Sequence, residues 1–127
     1  MEIFSTMEQK PKRSFLYKLL RSFKHAIRGF SGVAITQPNF IIHLLAIAVV
    51  FFVGYFMKIS LMEWGLVVLA IGFVLMAEIF NTAVEWLGDL ISPDYNEKIK
   101  WAKDAAAGGV LVAAGTAVLI AIIVFIL

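Results

Sequence analysis

Glu78, Asn81, Thr82 and Glu85 sit inside an apolar run, residues 64–87, that is long enough to cross a bilayer, and Asp89 follows one turn later. At ~100° per helical residue, and with Glu78 as zero, Thr82 falls near +40°, Glu85 near −20°, Asp89 near +20° and Asn81 near −60°. One face of one helix therefore carries two acids and an amide, with a third acid at its end. A charge at the bilayer centre costs about 2.5–3.5 kcal/mol on the lenient insertion scale, so an intramembrane acid points to function by default. Glu85, nearer the membrane interface, is placed to ligate a divalent metal, because Mg²⁺ commonly takes one or two carboxylates and completes its shell with water and substrate phosphate oxygens. Glu78 is deeper, flanked by Met76, Ala77, Ile79 and Phe80. That setting makes it a competent acceptor for the hydroxyl proton of a lipid alcohol.

Each polar residue also has a plain structural reading. Glu78 and Asn81 could be glue between helices, since polar groups hydrogen-bond across helices in bilayers. His43, alone near the start of the first apolar run, reads as a structural hydrogen-bonding residue. Asp89 reads as a solvated helix end, and Lys103 with Asp104 as an interface boundary. The run Ala105-Ala106-Ala107-Gly108-Gly109, continued by Ala113, Ala114 and Gly115, reads as a surface for close helix packing. Close approach there would let Lys103 and Asp104 reach the acidic helix or a neighbouring subunit.

The elements that position these residues follow from hydropathy. Of 127 residues, 61% are hydrophobic, and the mean hydropathy is +0.91, too apolar for an ordinary soluble domain of this size. The absence of cysteine excludes disulfides, a thiol nucleophile and thiolate metal sites. Three apolar runs, 41–57, 64–87 and 105–127, approach or exceed the ~20 residues that a membrane span requires. The expected fold is an all-α integral membrane domain. It has a flexible amino terminus (1–12), an interfacial amphipathic helix (13–36), spans at 39–59, 62–90 and 104–127, and a loop at 91–103. The amphipathic assignment rests on Phe15, Leu16, Leu19, Leu20, Phe23, Ile27 and Phe30, which form a stripe opposite Lys18, Arg21, Lys24 and Arg28. No cleaved signal peptide is expected, because the first apolar run begins about 40 residues in, without a small-residue cleavage pattern.

Lysine and arginine crowd the segment before the first span and recur at Lys98, Lys100 and Lys103, whereas Lys58 alone lies between the first two spans. The positive-inside bias therefore places the amino terminus and the 91–103 loop in the cytoplasm. On that topology Glu78 lies about 21 Å inward of Trp64 at ~1.5 Å per residue. The chain lacks the G-x-x-x-x-G-K-[ST] loop, the G-x-G-x-x-G turn and a soluble kinase core. The residues by themselves thus reach a cytoplasm-facing intramembrane site and do not name ATP. Three function classes remain open: phosphoryl transfer to a membrane alcohol, a small ion or proton transporter with Glu78 and Glu85 as a relay, and a non-catalytic membrane subunit. The relay has no ionisable residue to continue it through 64–75. No nucleic-acid partner is expected.

Glu78-Ile79-Phe80-Asn81-Thr82-Ala83-Val84-Glu85 resembles the E-x-x-N-[ST]-A-[IV]-E signature of the small prokaryotic diacylglycerol kinase family, which includes undecaprenol kinases. The likeness continues through Asp89, Ala102-Lys103-Asp104-Ala105-Ala106-Ala107-Gly108, Phe23-Lys24-His25-Ala26-Ile27-Arg28-Gly29, Asn39-Phe40 with Ile42-His43, and Glu63-Trp64, covering nearly all of the chain from Ser14. It implies an ATP- and Mg²⁺-dependent lipid kinase of the bacterial inner membrane, assembled as a homotrimer with active sites shared between subunits. Position by position, it implies Glu78 as the base, Asn81 as a polar partner near the phosphoryl group and Glu85 as a metal and nucleotide ligand. Lys103, Asp104, Asp94, Lys18 and His25 are implied as ATP contacts. One position departs from the pattern: where the family has a metal-binding glutamate ahead of Asn-Phe, this chain has Gln37. An amide offers a neutral oxygen, so coordination there is expected to be weaker. The string looks closest to the undecaprenol kinase branch, with diacylglycerol as the alternative acceptor.

Overall fold

The computed structural model of the chain describes residues 11–127. The first ten, most of the stretch read as a flexible amino terminus, lie outside the described residues. Four helices account for nearly all of the rest, with no strand among the described residues: α1 (Phe15–Thr36), α2 (Pro38–Met57), α3 (Leu61–Ile91) and α4 (Glu97–Phe125). The last three are long and apolar enough to cross a membrane. By packing, the chain divides at Ser31–Gly32 into two compact units.

In the unit that ends at Ser31, α1 starts at Ser14, whose Oγ accepts from the Tyr17 N–H at 3.2 Å. Serine satisfies an amide that the helix itself leaves unpaired at its start. Arg13 lies over the Tyr17 ring, 5.0 Å from its centroid. The apolar residues Phe15, Leu16, Leu19, Leu20, Phe23, Ile27 and Phe30 are all exposed.

In the second unit, Val33 at the end of α1 is buried, and the Trp86 ring comes within 3.8 Å of where a Cβ on Gly32 would stand. A single residue, Gln37, separates α1 from α2. It is extended, with φ −106° and ψ 109°, and Pro38 occupies the first turn of α2. Proline excludes the helical conformation from the residue before it and fits a helix start, where its missing N–H is not needed. The Gln37 side chain makes no capping hydrogen bond, so the break is set by Pro38 alone. Phe40, two residues after Pro38, is fully buried.

A tight turn joins α2 to α3. Lys58 takes the left-handed conformation, φ 52° and ψ 49°, and Ser60 then caps α3. Ser60 Oγ accepts from the Glu63 N–H at 3.2 Å and donates to Glu63 Oε1 at 3.1 Å. The Trp64 ring stacks on Phe51, centroids 5.4 Å apart, and lies against Gly54, where a Cβ would stand 2.7 Å from ring atom Cη2.

α3 packs chiefly on α4. Val67, Val74, Glu78 and Thr82 are buried at spacings of seven and four residues, which put them on one face. The polar face read from the sequence is thus the face that α3 turns inward. On α4, Ala113 and Val124 are the buried residues. Gly108, Gly109 and Gly115, by contrast, have nothing within 4 Å of where a Cβ would stand. A close approach of α4 to α3 occurs at Gly88, where a Cβ would stand 2.8 Å from Lys103 Cε and 3.0 Å from Ile99 Cγ2. α4 begins at Glu97, inside the segment read as loop, because Asn96 Oδ1 accepts from the N–H groups of Lys98 and Ile99 at 3.0 and 3.2 Å. That cap lets the helix form ahead of its apolar stretch.

Candidate functional site

The polar face of α3 is organised in levels. The deepest is Glu78, 6% exposed, whose Oε1 meets Nε2 of His43 on α2 at 2.8 Å. Thr82, one turn on, is 1% exposed. Seven residues beyond Glu78, ~10 Å along the helix, Glu85 Oε1 accepts from Asn81 Nδ2 at 3.3 Å. Asn81 Oδ1 is buried without a hydrogen-bond partner. The last level lies where α3 gives way to α4. There Lys103 Nζ donates to Asp89 Oδ1, and Lys100 Nζ donates to Asp104 Oδ2 at 2.6 Å.

The linker at this end is shaped by its own hydrogen bonds. The Ser92 N–H closes α3 on the Gly88 carbonyl at 3.0 Å, and Ser92 Oγ donates to the Asp94 carbonyl at 2.8 Å. Asp89, Asp94, Tyr95, Lys100 and Lys103 line an open recess of about 280 Å³ here. Deeper, beside His43, a cleft of about 130 Å³ is walled by Ala46, Ile47 and Val50 of α2 and by Ile71 and Val74 of α3.

Glu78, Asn81 and Glu85 are therefore brought onto one inward-facing strip, and Asp94, Lys103 and Asp104 gather around the α3–α4 linker. Lys103 reaches the acidic helix as its position suggests. Asp104 does not, because Lys100, one turn earlier on the same helix, takes its carboxylate. Gln37 is partly buried at the α1–α2 break. Lys18 and His25 stand on α1 within the unit that ends at Ser31, where His25 Nε2 accepts from Arg21 Nε at 3.3 Å. The residue the sequence undervalued is His43. Its only signal was a polar ring in an otherwise apolar run, and nothing in the sequence alone tells which acid it meets.

Glu85 and the orphaned Asn81 oxygen fit a hard divalent cation, which prefers oxygen donors. No group of three or more His, Asp or Glu side chains placed to hold a metal occurs among the described residues. Glu85 and Asn81 thus supply oxygens of the type such a cation takes.

Residues 24–125 match the family described as prokaryotic diacylglycerol kinase. The chain is 38% identical over 119 residues to the undecaprenol kinase of Bacillus subtilis, covering 94% of this chain and 97% of that protein. It is 37% identical over 103 residues to a diacylglycerol kinase of Synechocystis, covering 80% of this chain and 59% of that protein. With a buried carboxylate at Glu78 on a membrane-length helix and a match running almost from end to end, the chain belongs to the prokaryotic diacylglycerol kinase family of lipid kinases.

Proposed function

We propose that this lipid kinase transfers the γ-phosphoryl group of Mg·ATP to undecaprenol, yielding undecaprenyl phosphate and ADP. The observation that carries the reading is Glu78, a carboxylate buried in a membrane-length helix and held by a side chain from another helix. In this reading the Glu78 carboxylate takes the hydroxyl proton, the alcohol oxygen bonds to the γ-phosphorus, and the bond from that phosphorus to the bridging oxygen of ADP breaks. Such transfer depends on positioning and on neutralising charge, which a few helices can provide. Glu85 and Asn81 hold the cation side of the nucleotide. Mg²⁺ bound there supplies charge neutralisation of the phosphates. Lys103, Asp104, Asp94, Lys18 and His25 are ATP contacts in this reading.

The same reading makes α1 an interfacial helix, its exposed apolar stripe in the headgroup region and its lysines and arginines toward anionic lipid. It places the amino terminus and the α3–α4 linker in the cytoplasm of a bacterial inner membrane. It also makes the protein a homotrimer. The open surfaces at Gly65 and Gly72 of α3 and at Gly108, Gly109 and Gly115 of α4 suit helix contacts between subunits, where small residues allow close approach.

Undecaprenol is preferred over diacylglycerol because the undecaprenol kinase relative is matched over nearly its whole length, whereas the diacylglycerol kinase relative is matched over 59% of its own. The test is transfer of label from γ-labelled ATP in lipid nanodiscs containing undecaprenol or diacylglycerol at equal mole fraction, with and without Mg²⁺. Faster labelling of undecaprenol, dependent on Mg²⁺, is expected. Labelling of diacylglycerol alone would reassign the acceptor.

A further inference from the structure

We propose that His43 is the positioning residue for Glu78: from α2 it holds one oxygen of the α3 carboxylate, leaving the other to receive the lipid hydroxyl proton. The inference deepens the kinase reading and rests on Glu78 being the base.

His43 Nε2 and Glu78 Oε1 are 2.8 Å apart, and the two side chains are 24% and 8% exposed. A carboxylate oxygen only accepts, so with Glu78 ionised the contact is Nε2–H of His43 donating to Oε1. The rest of the imidazole's surroundings offer little competition, since it borders the apolar cleft walled by Ala46, Ile47, Val50 and Val74. Its own position is set from the sequence upward. Pro38 starts α2, Phe40 is wholly buried in the first turn, and His43 follows on the same face three residues later. The contact thus fixes two quantities at once: the rotamer of the acid and the separation of α2 from α3 at the depth of the chemistry. A base held to a fraction of an ångström by such a neighbour is what efficient proton transfer requires.

A contact that served only to join helices would be indifferent to the geometry of the carboxylate. The two roles separate in a series of substitutions at this position, made in the full chain and assayed in nanodiscs with undecaprenol and labelled ATP. His43→Gln keeps an N–H donor at about the reach of Nε2, His43→Asn shortens it, and His43→Leu removes it. By analogy with residues that orient a reactive ligand, His43→Leu is expected to lower kcat about 10–100-fold, with the KM for ATP changed less than about twofold. His43→Gln should recover most of kcat, and His43→Asn should resemble His43→Leu. The Leu variant need not assemble for the test to decide, because Gln and Asn differ only in reach.

Equal kcat for the Gln and Asn variants, or wild-type kcat per folded protein in His43→Leu, would overturn the positioning role. The same outcome follows if His43→Gln is as impaired as His43→Leu. Glu78→Gln, measured alongside, distinguishes the two layers of the argument. An inactive Glu78→Gln with a fully active His43→Leu removes His43 only, whereas an active Glu78→Gln removes the base on which the inference stands.

Discussion

The two charged levels of this molecule use similar groups under opposite conditions. At Glu78 an acid meets its partner from another helix with almost no exposure to solvent, whereas at Lys100 and Asp104 the partners lie one turn apart on the same helix and both side chains are 55% exposed. An exposed pair of that kind loses most of its attraction to water and salt. A buried one leaves an uncompensated polar group whenever either partner is removed. On the proposed reading, burial rather than the number of charges separates the residues that set the rate from those that meet the nucleotide. Asp89–Lys103 is intermediate, with Lys103 33% and Asp89 68% exposed, so its lysine can exchange a carboxylate for a phosphate.

This contrast orders the expected effects of substitution. The largest is on turnover: Glu78→Gln preserves shape and removes the proton acceptor, and kcat for lipid phosphorylation should fall ~10²–10⁴-fold, read by label transfer at saturating ATP. Next, Glu85→Gln replaces a charged ligand of a hard cation with a neutral one, and a Mg²⁺ titration of activity should shift to higher concentration; an unmoved titration would take Glu85 out of the metal shell. Gly54→Ala probes packing alone. Its new methyl would stand 2.7 Å from the Trp64 ring, so the ring or the α2–α3 turn must move, at about 1–3 kcal/mol, seen as a lower Tm with the acceptor preference unchanged. Gln37→Glu restores an anionic oxygen and should tighten Mg²⁺-dependent nucleotide binding; turnover need not rise, because stronger ground-state binding speeds a reaction only if the transition state gains more. No change in binding would show that Gln37 does not face the metal. The smallest effect belongs to Lys100→Gln, for which the Tm should remain within error because the pair it breaks is open to solvent.

Much of the architecture is legible in the sequence for a simple reason. A span of ~20 apolar residues is demanded by bilayer thickness, and Pro38 marks a helix start by chemistry that acts within one turn, whereas the Asn96 cap starts α4 inside the segment read as loop. The strip of Glu78, Asn81 and Glu85 is legible for the same reason, since a helix fixes angular position from spacing alone. What lies between helices is not. The pairing of His43 with Glu78 depends on how α2 and α3 are rotated toward each other, which no local pattern encodes. The close approach of Lys103 and Ile99 to Gly88 is equally invisible in the sequence, because a glycine makes room only where another helix actually crosses it. Likewise, Asp104 is diverted from the acidic helix by Lys100, a neighbour four residues away whose competition the motif does not show.

The most direct test of the division between the two levels is to measure kcat and nucleotide Kd for Glu78→Gln and Lys103→Gln in the same nanodiscs. The buried variant should lose turnover and bind the nucleotide as the wild type does. The linker variant should bind the nucleotide more weakly and regain most of its turnover when ATP is raised to saturation. The reverse pattern, with Glu78→Gln turning over normally and Lys103→Gln inactive at saturating ATP, would place the chemistry at the α3–α4 linker and contradict the assignment of Glu78 as the base.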